Sequence, residues 1–487
     1  MESIEDVFVD DTPVELPDMH TEKIQPEGEA WTKPDFAEQT GALGYEEGVF
    51  NAPPEMQKRF EFWKDIYTKY TSEQGLIHDA KYLHLIYREL DFRPIANDAN
   101  LNEVQKFLAK KRLVQNVKKE VVQLLNKLQK YDSQKVKNPE KISEELSPEE
   151  IELWKKFESI NGTRKFIEAS RAGRLRFQLG QRDRIELGVF YSGRYLKKME
   201  QIFRDEGLPV ELTRLPFVES SFNIYARSKV GASGIWQFVP RTGRAYMKIN
   251  NFIDERNDPL IATKASAKLL KQNFNLLKSW PLAVTGYNHG AFGVRGLTKK
   301  LKTENLNEII ERASSRRFGF AGENFYSSFM AILHVESNAD KYFGSIKRSS
   351  ELKFEKIPLP TSVLWDTVLT WFEGDVDKAK MYNPHINLRK GRSAIRIPTG
   401  VSIHLPPEKA PEIVIWLEEQ KKKPQSSVVV ANNDSPSEKG GEYYVRKGDT
   451  LSHIARHLRV TIKDLMEAND LSSANKIKPG LKLVVPD

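Results

Sequence analysis

The sequence predicts a mainly α protein with small strand-containing modules toward its C-terminus. Three observations predict this. Apolar residues recur at three-to-four spacing through much of residues 58–345. Residues 351–407 then switch to short β-prone runs around one helical run. Residues 443–487 form a small, well-punctuated unit that reads as strand, turn and helix.

The 487 residues suggest two to four domains. Hydrophobic residues make up 39% and charged residues 29%, enough apolar content to bury a core. No run approaches the about 18 uninterrupted apolar residues of a membrane-crossing helix. With no cysteine, disulfides, thiolate metal sites and a Cys nucleophile are excluded, and the redox compartment stays open. Met1 leads into MESIEDVFVDD, acidic where a secretory leader is basic and then apolar. An envelope protein with this start is expected to be a mature form, its leader and any lipid-anchor cysteine lying outside the sequence.

Charge is uneven. Residues 1–57 hold 15 Asp or Glu against 2 Lys, a balance of −13 within a net charge of +8, so the remainder carries +21. Residues 1–57 therefore read as an acidic, disordered segment, attracted to the basic body as a regulatory flap. The body suits a polyanionic partner, although a Lys-rich soluble surface explains it equally well.

Residues 58–182 read as a helical prefix without legible chemistry. Arg59 to about Leu90 begins with Phe60, Phe62, Trp63, Ile66 and Tyr67 at helical spacing. A second run, Leu101–Tyr131, carries Val114, Val117, Val121, Leu124, Leu125 and Leu128. A third helix starts at the capping box of Ser147 and Glu150, with Pro148 at its first position.

Residues 183–345 carry the candidate chemistry. Glu219 follows Leu215, Pro216, Phe217 and Val218, so its carboxyl is expected to be partly desolvated and to keep its proton, as a general acid needs. A capping or salt-bridged Glu would look the same. Gly231 and Gly234 allow a tight turn before Trp236, Gln237 and Phe238, which offer apolar faces and an amide to a sugar; a turn plugged by a core Trp is the plainer reading. Asp258-Pro259 starts a clean helix. Tyr287 and Asn288 stand where a later helix meets a Gly-rich loop, and His289 reads as a loop histidine.

Glu-Ser, then Gly-x-x-Gly-x-Trp-Gln-Phe, then Gly-Tyr-Asn-His-Gly, in this order and spacing, resembles the catalytic domain of soluble-type lytic transglycosylases. Within that group it most resembles the membrane-bound D-type enzymes. The resemblance covers about residues 185–335. It implies a lysozyme-like helical fold that cleaves between N-acetylmuramic acid and N-acetylglucosamine and leaves a 1,6-anhydro end. By resemblance, Glu219 is the single acid/base. Ser220 lies near the muramic acid side chain, Gln237 binds substrate, and Tyr287 and Asn288 line the cleft. The family usually has Ala where Gly286 stands. Its later Glu-Thr-x-x-Tyr motif is only loosely echoed by residues 322–326, which makes Tyr326 a further substrate-binding candidate.

Tyr443 to Ala455, with Gly448-Asp449-Thr450-Leu451 and Ile477-Lys478-Pro479-Gly480, resembles a LysM module. That resemblance implies a βααβ unit binding glycan through Gly448, Asp449, Thr450, Ile477 and Pro479. Residues 419–441 read as a linker. Ile397-Pro398-Thr399-Gly400 echoes the Ile-x-Pro-Gly of the last module, and Asn383 echoes Asn469, so residues 351–407 read as a degenerate first copy acting as a spacer.

His-Glu-x-x-His and the phosphate-binding Gly-rich loops are absent, and Ser473–Lys476 falls in the last module's loop. No cofactor, metal or nucleic acid is expected. The expected partner is peptidoglycan glycan, met in the periplasm or at the outer membrane by a monomer, with envelope attachment through a segment outside this chain. A goose-type lysozyme stays open, because Asp254, Glu255 or Asp258 could place a water-activating carboxylate in the cleft. So does a non-catalytic wall-binding scaffold.

Overall fold

The prefix helix Gln57–Thr68 runs for only three turns before the chain turns into β1 (Gln74–Asp79) and β2 (Ile86–Asp91). In this computed structural model, residues 41–135, 146–313, 317–388, 395–422 and most of 442–486 are described. They form two units, Met1–Ile413 and Val414–Asp487.

The prefix is thus not all helical. β1 pairs antiparallel with β2 and, on its other edge, with β3 (Leu175–Leu179), giving the order β2-β1-β3. A central strand is covered on both faces, so β1 is buried almost throughout and lacks the alternation that marks a strand. Its second partner lies about a hundred residues on, beyond any local pattern. Gly75 is required there, because a Cβ would come 2.5 Å from the Phe177 ring. The long helix Glu103–Lys135 lays Val114, Val121, Leu125 and Leu128 into a core shared with Ile77, Tyr87, Phe157 and Phe177. The next helix, Pro148–Lys156, opens with the capping box of Ser147 and Glu150.

Two expected boundaries move. The linker expected over 419–441 is helical to Lys422, and its remaining residues lie outside those described. The acidic segment, expected disordered over 1–57, lies outside the described residues to position 40, but its last part packs down. Leu43 donates to the Gly207 carbonyl and accepts from Trp280 Nε1. Phe50 is buried edge-on against Phe329. Averaged charge concealed these apolar anchors.

Helices dominate the described residues of 182–343. At their centre the helix Phe320–Ser337 is nearly all buried. It packs against the helix Trp280–His289 and against the prefix helix, so the prefix helix is part of the same core rather than a separate layer. Asn324 Oδ1 takes Arg59 Nη1 at 2.9 Å across that contact.

The segment leading into Glu219 hangs on a buried ion network. Arg214 is fully buried; its guanidinium meets Glu200 at 2.5 Å and Glu336 at 3.2 Å. Glu336 also takes Arg348 at 2.8 Å. Burial pushes the Glu336 carboxyl up, but Arg214 and Arg348 outweigh it and hold the carboxyl low. Burial wins at Glu200, which is held high.

In the first module β4 (Glu355–Pro358) and β5 (Val363–Leu364) precede helices Trp365–Trp371 and Val376–Tyr382. β6 (Arg396–Ile397) pairs with β5, and β7 (Ser402–Leu405) with β4. This module docks on the helical block: Asp254 N donates to the His385 carbonyl at 2.8 Å, and Ile253 bridges Ile386. In the second unit β8 (Glu442–Tyr444) pairs with β9 (Lys482–Val484) around helices Leu451–Leu458 and Ile462–Glu467. The sequence echo has a physical basis. Asn383 clamps the His404 backbone at 3.0 and 2.8 Å. Asn469 clamps that of Val484 at 2.7 and 2.6 Å.

Replacing Arg214 with Met leaves Glu200 and Glu336 buried without their shared cation. Denaturant unfolding should show a loss of about 3–5 kcal/mol; an unchanged midpoint would mean that the network carries no stability.

Candidate active site

Glu219 sits in the last turn of the short helix Leu215–Ser220, directly after the Arg214 anchor. Leu215 and Phe217 are fully buried and pin that helix. It ends in two consecutive left-handed residues, Ser221 (φ 50) and Phe222 (φ 62). Their N–H groups bond back to the Phe217 and Pro216 carbonyls at 3.0 and 3.1 Å. Each non-glycine residue in this region costs about 1 kcal/mol or more, so the surroundings must impose it. Gly188 is one such neighbour: a Cβ there would lie 2.6 Å from the Ser221 oxygen.

The Glu219 side chain is half-buried, and burial pushes its carboxyl up to about 8. Among the described residues no charged neighbour adds to that shift. The three carboxylates left open as water activators have other tasks. Asp254 forms a two-point pair with Arg256, Glu255 accepts from Lys248 N, and Asp258 caps the helix Pro259–Leu277.

The loop 226–238 folds beside this acid. Gly234 has φ 75 and no room for a Cβ, which would meet the Arg256 oxygen at 2.0 Å. Arg256 Nη1 holds the Gly231 and Phe238 carbonyls at 2.6 and 2.8 Å, and Ser233 Oγ bonds Asn257 at 2.6 Å. Trp236 is fully buried, parallel to Phe203, with Nε1 on Thr263. Trp236 and Phe238 are therefore core residues and offer no faces to a sugar; burying two aromatics is what closes this loop. Gln237, between them, takes φ 48, and its Nε2 donates to Gly234 at 2.8 Å.

Tyr287 draws these parts together. Its hydroxyl donates to the Trp236 carbonyl at 2.9 Å and lies 3.1 Å from Ser266 Oγ. Burial, then the Glu219 charge, holds its phenol far above the usual range. Asn288 is exposed at the end of the same helix. Gly286 lets this helix approach Ala291, whose Cα would lie 3.1 Å from a Cβ. Ser220 Oγ lies 3.0 Å from the Ile235 carbonyl and 3.1 Å from that of Pro216, tying the acid helix to the loop.

Tyr326 is not in this cluster. It is 2% exposed and donates to the Val49 carbonyl at 2.9 Å, because its helix turns it toward the folded end of the acidic segment. Its neighbour Phe325 faces the site instead, stacked with Tyr287 at 6.5 Å. Tyr67 was not legible as a site residue. It is buried on the prefix helix, bonded to Ser328, and its phenol feels the Glu219 charge. Its aromatic stripe reads from sequence only as core.

In the second unit, Asp449 Oδ2 accepts from Tyr443 at 2.9 Å. Thr450 opens the helix, its carbonyl taking Ile454 N at 3.0 Å. Ile477 packs at the edge of the core. Gly448 and Pro479 lie outside the described residues.

The Transglycosylase SLT domain family matches residues 198–310, a span that contains Glu219, Ser220, Gln237, Tyr287 and Asn288 and leaves out Tyr326. The LysM domain family matches residues 443–486. The chain carries an SLT transglycosylase domain and a LysM domain. Over 285 residues the chain is 28% identical to the membrane-bound lytic murein transglycosylase D of Escherichia coli K12, across 58% of this chain and 61% of that protein. It is also 25% identical over 173 residues to a putative tributyltin chloride resistance protein of Alteromonas sp. strain M-1, across 35% of this chain and 81% of the relative. The chain thus spans about 61% of the length of its Escherichia coli relatives. Among the described residues no helix is long and apolar enough to cross a membrane.

The buried carboxyl of Glu219 has a signature in stability. Glu219 ionises near 4.5 when unfolded and near 8 when folded. Between these values the unfolded chain binds fewer protons, so stability falls as pH rises. Glu219→Gln removes this loss. The variant should match the wild type at pH 4 and exceed it by about 4 kcal/mol at pH 8. Parallel pH profiles of the two proteins would refute the burial of the carboxyl.

Proposed function

We propose that this protein is a peptidoglycan lytic transglycosylase with Glu219 as its single general acid and base. One observation carries the reading: a carboxyl protonated to about pH 8 by burial alone, inside the SLT domain. Ordinary glycosidases need two carboxyl groups, one of them for a nucleophile or an activated water. An intramolecular transfer needs one.

Glu219 gives its proton to the oxygen joining C1 of N-acetylmuramic acid to O4 of N-acetylglucosamine, and the C1–O4 bond breaks. The resulting carboxylate takes the proton of the muramic acid 6-hydroxyl as O6 bonds to C1. The acid is regenerated, no water is consumed, and the product is a 1,6-anhydro end. Tyr287, fixed on the Trp236 carbonyl, keeps one side of the acid dry. Exposed Asn288 and half-buried Gln237 supply polar contacts to the sugar, and Ser220 lies toward the muramic acid side chain. Buried Tyr67 adds a second phenol beside the acid and ties the prefix helix to the site. The LysM domain anchors the enzyme to glycan through the turn at Asp449 and Thr450 and the segment from Ile477. The enzyme acts in the cell envelope as a monomer.

Mass spectrometry of soluble products from purified peptidoglycan tests this. The wild type should release muropeptides lighter by one water than reducing-end products. Glu219→Gln should lower the rate by about 10²–10⁴-fold, and wild-type activity should fall as pH rises through about 8. Reducing ends would identify a hydrolase. No products, with retained sacculus binding, would identify a scaffold.

A further inference from the structure

The first module meets the SLT domain at a buried trio of Asp258, His385 and His404. They are 2%, 4% and 3% exposed. Asp258 Oδ2 stands 3.6 Å from His404 Nδ1 and 3.9 Å from His385 Nδ1. Asp258 Oδ1 caps the helix Pro259–Leu277, accepting from Leu260 and Ile261 at 2.9 and 3.0 Å. Oδ2 has no hydrogen-bond partner, and neither has His385 Nδ1.

Tautomers sharpen the point. His385 Nε2 lies 2.9 Å from the Ser402 carbonyl, so that nitrogen carries the proton and Nδ1 presents a lone pair. Two buried acceptors then face each other with no donor between them. Such groups are costly to leave unmatched. A water bridging them at roughly 2.8 Å on each side would be squeezed to an acceptor–water–acceptor angle near 90°. Ligands roughly 2.1 Å from a zinc ion stand about 3.4 Å apart at the tetrahedral angle, and farther apart when the angle opens. The observed separations fit the ion.

We propose that Asp258, His385 and His404 bind a divalent transition-metal ion of the zinc class, which clips the first module to the SLT domain. Two imidazoles and one carboxylate are a donor set that zinc accepts readily. His404 Nδ1 lies 3.1 Å from the Tyr382 carbonyl, to which it donates in the metal-free protein. The ion takes the place of that proton, which is relayed to Nε2, so the ring stays neutral. A cavity of about 70 Å³ touches His385, His404 and Ser402 and supplies an entry path. Its wall also carries Glu255, Lys248 and Lys356. The two ammonium groups favour a hydroxide or small anion as the fourth ligand.

The clip acts on a loop that matters. Asp254, Arg256 and Asn257 hold residues 231–238 and lie just before Asp258. His385 sits where the module's backbone joins that loop, at Asp254 and Phe252. A metal ion would stiffen both. Such a site leaves no mark in the sequence, because the three ligands come from distant segments. The inference is independent of the proposed enzymatic activity.

The test uses the full chain, stripped with a chelator and titrated with zinc chloride by calorimetry, and with cobalt(II) followed by visible absorption. His385→Gln and His404→Gln keep polar side chains and leave the Asp258 cap intact. We expect one zinc per chain, a tetrahedral cobalt spectrum, and a rise in Tm on zinc addition. Each variant should bind at least about 100-fold more weakly and lose the Tm response, with its metal-free Tm near that of the wild type. Absence of stoichiometric binding, or equal binding by wild type and both variants, would overturn the proposal. If one variant fails to fold, the other and the wild-type stoichiometry still decide.

Discussion

The buried guanidinium of Arg214 is the interaction on which the site depends. It joins Glu200 on the helix Leu196–Asp205 to Glu336 on the central buried helix, and Arg348 closes the network from the chain beyond. Arg214 is also the residue from which the acid helix starts. A cation that satisfies two buried carboxylates cannot shift without exposing charge to a low-dielectric interior. That rigidity is transferred over one turn and a half to Glu219.

The rest of the site is built by close approach. Gly188 and Gly234 admit backbone where no side chain fits, and Ser221, Phe222 and Gln237 adopt left-handed conformations beside them. Tyr287 reaches across to the Trp236 carbonyl and locks the loop to its helix. The prefix helix closes the other side, with Tyr67 against Ser328. A region that looks like an independent prefix is therefore a wall of the acid's environment, and Glu219 owes part of its desolvation to it.

How far the sequence can be read varies with the range of the interactions. The capping box at Ser147, the valine and leucine stripe of the long helix and the Asp258 cap are local, and each is legible from a few adjacent residues. The buried setting of Glu219 is legible too, because Leu215 to Phe217 precede it on one short helix. The two asparagine clamps appear as a weak echo, since each asparagine makes the same contact with a strand backbone. Bulk composition misleads at Leu43 and Phe50, where a few apolar contacts outweigh an acidic surround.

Tertiary structure alone decides the remainder. β1 finds β3 a hundred residues away, and no periodicity within β1 announces a strand covered on both faces. Phe325, not Tyr326, faces Tyr287, because a shift of one residue on a helix rotates a side chain by about 100° and only packing sets the phase. Trp236 turns inward because a large apolar surface gains most by leaving water. Asp258, His385 and His404 meet only when the first module docks. Local order follows from neighbours in the chain, whereas burial, phase and convergence follow from neighbours in space.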